Sequence, residues 1–329
     1  MGGPLQISLN HVPLDELTVP QRVLDIEEKT RANLLPWKGQ FSPQLVQALL
    51  EEYGDAGARV LDPFAGSGTV LAEASRRGLT ATGVELNPAA HALASVYSLA
   101  NLDDGERNRA IGHVEGVLRR RRLTSARESS MLNRSLLSAR AELELVSERV
   151  LIDGALVLAD FGGPKFDADK FRASWQYLSK LVRELPHAAE AIRAIHADAR
   201  TIPVNDSSFD LVITSPPYIN VFNYHQQFRT AVELLGWDVL AVAQSEIGSN
   251  RKHRSNRFLT VIQYCLDLSQ ALVEFCRVSV DGARLIIVVG RESTVRGMTV
   301  RNGELLLNLA VNAIGLSVSA RQERRFRSK

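Results

Sequence analysis

Two short loops carry the chemistry legible in this chain. The first is Asp62-Pro-Phe-Ala-Gly-Ser-Gly-Thr69, directly after the apolar run Ala58-Arg-Val-Leu61. Glycines at 66 and 68 let a backbone approach a ligand closely, and Glu85 stands 19 positions beyond Gly66, where a second strand should end. A carboxylate there is placed to accept from the hydroxyls of a ribose. The same loop also fits a plain glycine turn from strand to helix. A dinucleotide fingerprint would need a third glycine and a helix N-terminus facing pyrophosphate, and a phosphate loop would need Gly-Lys-Ser/Thr. This loop has neither, and Asp62 would repel phosphate while welcoming an ammonium or sulfonium group. S-adenosylmethionine combines both cations with a ribose and has no phosphate.

The second loop is Thr214-Ser-Pro-Pro-Tyr218, after the apolar run Phe209-Asp-Leu-Val-Ile. Adjacent prolines hold two φ angles and remove two N–H donors. What remains are carbonyl oxygens, the Ser215 hydroxyl and the Tyr218 ring. That set suits an exocyclic aromatic amine, which has two N–H groups to satisfy and a ring to stack; a rigid turn closing a strand would look the same. Methylation at carbon 5 of a pyrimidine would instead call for a cysteine nucleophile. Cys265 and Cys276, the two cysteines, fall mid-helix after Tyr264 and Phe275. At a rise of ~1.5 Å per residue they stand ~16 Å apart, too far for a disulfide.

The elements that must hold these loops read as alternating strands and helices. Ser42 and Pro43 open a helix over Pro43–Leu50, strands are expected at 58–61 and 81–85, and helices at 70–77 and 88–99. Apolar strands in β-loop-α-β order point to a parallel sheet covered on both faces, hence an α/β, doubly wound, Rossmann-like fold. From about 103 to 190 the alternation stops, and amphipathic charged helices follow one another as an insertion. It resumes with strands at 194–198, 209–214 and 284–290, a long helix at 258–278, a helix at 303–314 and a sixth strand over 316–325. The expected division is 1–102 for the first half of the catalytic fold, 103–190 for the insertion and 191–329 for the second half.

Composition narrows the field further. The 329 residues carry 39 Lys+Arg against 37 Asp+Glu, with 45% hydrophobic and 23% charged, an ordinary globular balance. The longest strongly apolar run, Leu285–Val289, is far short of the ~20 residues of a membrane span, and the N-terminus lacks a secretory pattern. The expectation is a cytoplasmic protein without membrane attachment. Two cysteines and seven scattered histidines give no metal-ligand spacing, so no metal is expected.

Together, DPFAGSGT and TSPPY resemble the cofactor and catalytic loops of the amino-methylating DNA methyltransferases. The Ser-Pro-Pro-Tyr form is most similar to the cytosine-N4 enzymes; Asp or Asn at position 215 would resemble the adenine-N6 group. LLPWKGQFSPQLVQALL resembles the family segment beside the methionine end of the cofactor, best at Phe41, Ser42 and Pro43. The likeness covers roughly 35–100 and 190–325. It implies a class I methyltransferase fold and S-adenosylmethionine as cofactor. Asp62, Phe64, Ala65, Gly66, Gly68 and Thr69 would surround the methionine side, Glu85 would hold the ribose, Leu86 would pack on adenine, Asp198 would take its amine and Thr214 would also belong to the cofactor site. Ser215, Pro216, Pro217 and Tyr218 would hold the target amine and base. The implied activity is methyl transfer to cytosine N4 in DNA after base flipping, with adenine N6 or an RNA base as alternatives. A separate cognate restriction endonuclease is a further implied partner. The family's sheet has seven strands, where six are read here.

Basic clusters supply a nucleic-acid footprint. Arg251-Lys252-His-Arg254 and Arg257 form one cluster without an acid, with Arg119–Arg122 and the tail RQERRFRSK as two more. Either they neutralise phosphates or they are solvated faces. Asn220, Asn223 and Tyr224 follow the catalytic loop closely enough to touch DNA or to cap the next helix, and the insertion is a candidate target-recognition region.

Overall fold

The computed structural model describes residues 8–121, 129–161, 166–219, 228–248 and 257–325. Its centre is a five-stranded parallel sheet of β1 (Arg59–Asp62), β2 (Thr80–Glu85), β3 (Ile192–His196), β4 (Phe209–Thr214) and β5 (Ser279–Ile287), ordered β3-β2-β1-β4-β5. That order reverses direction between β1 and β4, so a crevice opens beyond the carboxyl ends of those strands, where α/β sheets hold ligands. The chain is thus a Rossmann-like α/β fold.

Successive strand residues serve opposite faces. Val60, Leu211 and Ile213 enter one apolar cluster, while Leu61, Val84 and Val212 enter the other. The first face is covered by α1 (Gln21–Leu24), α2 (Pro43–Tyr53), α3 (Thr69–Arg76) and α4 (Pro88–Ser95). Onto these pack α5 (Asp104–Arg120), α6 (Ser129–Glu142), α7 (Val146–Ala159) and α8 (Ala168–Arg183), which make up the insertion, and then α9 (Arg229–Leu234) and α10 (Val239–Ser245). The second face is covered by α11 (Arg257–Val278) and α12 (Asn302–Asn308).

The insertion shares its core with the sheet domain. Val114, Leu136, Leu151 and Trp175 belong to the same cluster as Leu93 and Val96. Gly154 permits a close approach: a Cβ there would lie 2.9 Å from Val96 Cγ2 and 3.2 Å from Leu178 Cδ2. Buried Arg107 fastens α5 by donating to the carbonyls of Leu102 at 2.9 Å and of Leu185.

Several boundaries differ from the sequence expectation: β3 runs over Ile192–His196 rather than 194–198, and β5 over Ser279–Ile287 rather than 284–290. The helix after Pro88 gives way to a 3-10 turn over Val96–Asn101. The helix over 303–314 divides into α12 and a wider-wound segment, Leu309–Ile314. The expected sixth strand over 316–325 does not form. Leu316, Val318 and Ala320 alternate correctly but bury no common face, and the segment makes one bridge, Arg321 to Leu14. In its place stands a hairpin missed in the sequence, β6 (Glu292–Val295) with β7 (Met298–Arg301). Arg296 and Gly297 both have positive φ, as a tight two-residue hairpin turn requires. Among the described residues no helix is long and apolar enough to cross a membrane.

Candidate active site

The turn after β1 is held by its own backbone. Ala65 N–H donates to the Val84 carbonyl at 3.0 Å, and Gly68 N–H to the Ala65 carbonyl at 2.8 Å. Gly66 and Gly68 have φ of 51° and 86°, a region other residues avoid. Glu85, last in β2, closes the turn from the side. Its two oxygens accept the N–H groups of Gly66 and Asn87, each at 2.8 Å. Burial pushes its carboxyl up to about 7, and those two N–H groups oppose the shift.

Asp62 takes a different place from the one its position suggests. It is 2% exposed and does not line the cleft. One oxygen accepts the Thr214 hydroxyl at 2.6 Å and the Phe64 N–H at 3.1 Å. Burial pushes Asp62 up to about 7 against those bonds. The pair joins the carboxyl ends of β1 and β4, fixing where one loop starts relative to the other.

Four other segments complete the walls. Residues 37–41 arch over the turn, with Trp37 close enough to Gly66 that a Cβ there would meet its Cδ1 at 3.0 Å. Trp37 stacks on Phe228 at 5.9 Å, and Phe228 on Phe161 of the insertion at 6.0 Å. Gln40 accepts the Ser67 hydroxyl at 2.7 Å. Asp198 and Ala199 follow β3, Ser215 and Pro217 follow β4, and Glu246 and Ile247 follow α10. Tyr218 packs its ring against Gly290, where a Cβ would stand 3.3 Å from Cε1.

The cleft holds about 840 Å³, counting its solvent-open mouth. Of the expected cofactor residues, Phe41, Phe64, Ala65, Gly66, Thr69, Glu85, Leu86 and Asp198 line it; Ser42, Pro43, Asp62, Gly68 and Thr214 are not among its lining residues. Of the four residues expected to be catalytic, Ser215 and Pro217 line it, whereas Pro216, which is buried, and Tyr218 are not among its lining residues. Trp37, Lys38, Gln40, Asn87 and Glu246 are lining residues that sequence reasoning missed. Trp37 to Gln40 lay inside the segment quoted for its resemblance, so position beside Phe41 was an available signal. Glu246 had none, because α10 reaches the cleft only through tertiary packing. Asn220, Asn223, Tyr224, Arg251, Lys252 and Arg254 lie outside the described residues, as does the side chain of Arg257.

The chemistry of this lining is specific. Three carboxylates, Glu85, Asp198 and Glu246, face one lysine, Lys38, among apolar Phe41, Phe64, Leu86 and Ile247. Such a wall disfavours phosphates and accepts N–H and O–H donors, cations and a flat ring. Among the described residues no group of three His, Cys, Asp or Glu could hold a metal ion.

Residues 18–95 match a family model described as DNA methylase of the N6/N4 type. Type II methyltransferase M.MjaII of Methanocaldococcus jannaschii is 35% identical over 68 residues, 20% of this chain and 13% of that protein. Type II methyltransferase M.BsoBI of Geobacillus stearothermophilus is 24% identical over 280 residues, 63% of this chain and 53% of that protein. The chain thus spans at most about half the length of these relatives. The solved rRNA methyltransferase aviRa from Streptomyces viridochromogenes aligns over 90% of this chain and 96% of its own, with 15% identity and a TM-score of 0.33. The family model and the two curated relatives thus liken parts of this chain to amino-methyltransferases of the N6/N4 type.

Proposed function

We propose, on the premise of that amino-methyltransferase kinship, that the chain methylates the exocyclic N4 amine of cytosine in DNA, with the target base flipped out. One observation carries the reading: Ser215 and Pro217 line the same cleft as Gly66, Glu85 and Asp198. An amine held by the first pair would therefore stand beside a nucleoside held by the second group.

S-adenosylmethionine, when bound, supplies a methyl group made electrophilic by the sulfonium. Its adenosine fits the available donors and acceptors. Glu85 retains lone pairs for ribose hydroxyls beyond the two N–H bonds it already accepts, and Leu86 offers an apolar face to adenine.

The protein's own task is to hold the amine. An aromatic amine is a weak nucleophile because its lone pair is delocalised into the ring. The Ser215 hydroxyl, which lines the cleft, would accept one of its two hydrogens, and the Pro216 carbonyl would accept the other. Holding both would favour a pyramidal nitrogen whose lone pair could form the new N–C bond while the sulfonium–methyl bond broke with its electron pair passing to sulfur, leaving the thioether, and the amine would then lose one of those hydrogens as a proton to solvent. Tyr218 would stack on the base, its ring already steadied against Gly290. Bringing a paired base to this loop costs a few kcal/mol of unstacking, so DNA contacts elsewhere must offset it. The basic segment around 251–257, Asn220, Asn223, Tyr224 and the helices over 104–183 are our candidates. A separate endonuclease of matching specificity would complete a restriction-modification pair in the cytoplasm.

Nucleoside mass spectrometry after incubation with duplex DNA and, in parallel, total RNA tests the reading. N4-methylcytosine in DNA is expected. N6-methyladenine would overturn the reading of Ser215, and product in RNA alone would overturn the substrate. Ser215→Ala should retain cofactor affinity by calorimetry and lose most turnover. Equal loss of both would contradict the role given to Ser215.

A further inference from the structure

We infer that Arg200, outside the cleft lining, is a positioning residue that orients Asp198 for recognition of the nucleoside base. The inference rests on the cofactor reading above and concerns a residue that neither the motifs nor the family match singled out.

The arrangement around Arg200 is unusually complete. Its backbone N–H and its Nε each donate to Asp198 Oδ1 at 2.9 Å, and Nη2 donates to Oδ2 at 2.6 Å. On the far side Nη1 donates to Asp267 Oδ1 of α11 at 2.5 Å, and Nη2 also reaches the Ser245 carbonyl at 3.1 Å. Asp267 is itself 3% exposed and takes a further bond from Gln263 at 3.0 Å. The guanidinium therefore cannot turn without breaking bonds to three elements: the turn after β3, the end of α10 and the middle of α11.

The consequence for Asp198 is a matter of acceptor positions. A carboxylate offers roughly four lone-pair sites. Oδ1 has both of its sites occupied by Arg200, whereas Oδ2 has one occupied and one left. A cleft-lining carboxylate with one open site on a known oxygen can accept one N–H from one direction. An amino group on the base satisfies that site, while a ring carbonyl at the same position would meet it lone pair to lone pair. Because the fork is planar and two-pronged, a lysine at 200 would keep the charge and lose the orientation.

The test is calorimetric titration of S-adenosylhomocysteine and of its 6-oxo, inosyl counterpart into the full chain, at a temperature where every variant is folded by circular dichroism. Wild type should prefer the 6-amino compound. Arg200→Lys and Asp198→Asn should each bind it about tenfold more weakly and lose most of that preference. The double variant should be no worse than Asp198→Asn, because a residue acting through another is non-additive with it. Asp267→Asn, which loosens the guanidinium from behind, should shift affinity the same way by about threefold, and not at all on the Asp198→Asn background. Unchanged preference in Arg200→Lys, or losses that multiply in the double variant, would overturn the inference while leaving the cofactor reading intact. Failure of wild type to bind either compound would sink the cofactor reading, and the role of Arg200 with it.

Discussion

Before any ligand arrives Asp62 is buried and Glu85 half-buried at the cleft wall, and loss of water pushes both carboxyls up to about 7. In the unfolded chain they would titrate at about 4. The folded state therefore holds protons that the unfolded state releases over this range. Stability from these groups is fully present below about pH 4 and is lost as pH rises through about 7. The cofactor-free protein should accordingly melt at a lower temperature at pH 8 than at pH 5. Asp62→Asn, which keeps an acceptor for Thr214, should flatten that dependence; an unchanged slope in thermal melts would show that Asp62 is not its source. Gly68 makes a second prediction at this scale. It has φ of 86°, and a Cβ there would stand 2.9 Å from Ala94 Cα and 2.8 Å from Tyr97 Cδ2. Gly68→Ala should cost about 1–3 kcal/mol in urea denaturation, since one of those neighbours is backbone and cannot swing aside.

At the scale of elements, the insertion is tied into the walls of the cleft. Asp160, at the end of α7, accepts the Ala231 N–H of α9 at 3.0 Å, and the Tyr177 hydroxyl of α8 donates to the Leu34 carbonyl at 2.5 Å. The rings of Phe161 and Phe228 continue the contact to Trp37 over the turn after β1. These helices were legible from their amphipathic spacing, but their docking was not, since the facing residues come from segments up to 143 positions away. Leu151, fully buried where α7 meets the common core, tests the consequence. Leu151→Ala should cost about 2–5 kcal/mol. Tryptophan fluorescence and far-ultraviolet circular dichroism should then report one shared unfolding transition. Two separated transitions would mean that the insertion folds alone.

For the molecule as a whole, charge is nearly balanced, at a formal +2, so attraction to a polyanion must come from uneven distribution. If the segment around Arg251, Lys252, Arg254 and Arg257 meets phosphates, replacing these four with serine should flatten the salt dependence of duplex binding. The log–log slope should fall by about 0.9 for each phosphate that is no longer neutralised, read by fluorescence anisotropy. An unchanged slope would move the nucleic-acid face elsewhere. What the sequence determined by itself was local: strand ends, glycine turns, proline-locked loops and helix starts such as Ser42-Pro43 and Asn87-Pro88, each set by the conformations its own residues allow. Glu85 was legible because β1 and β2 are neighbours in chain and sheet alike. Only the tertiary structure decided that Asp62 turns inward to Thr214, that Trp37 roofs the turn, that Glu246 joins the lining and that Arg200 holds Asp198. It also left 316–325 outside the sheet, because period-two alternation makes a strand only where a buried face receives it. Each of these rests on partners brought together by packing of the two cores, which no spacing along the chain encodes.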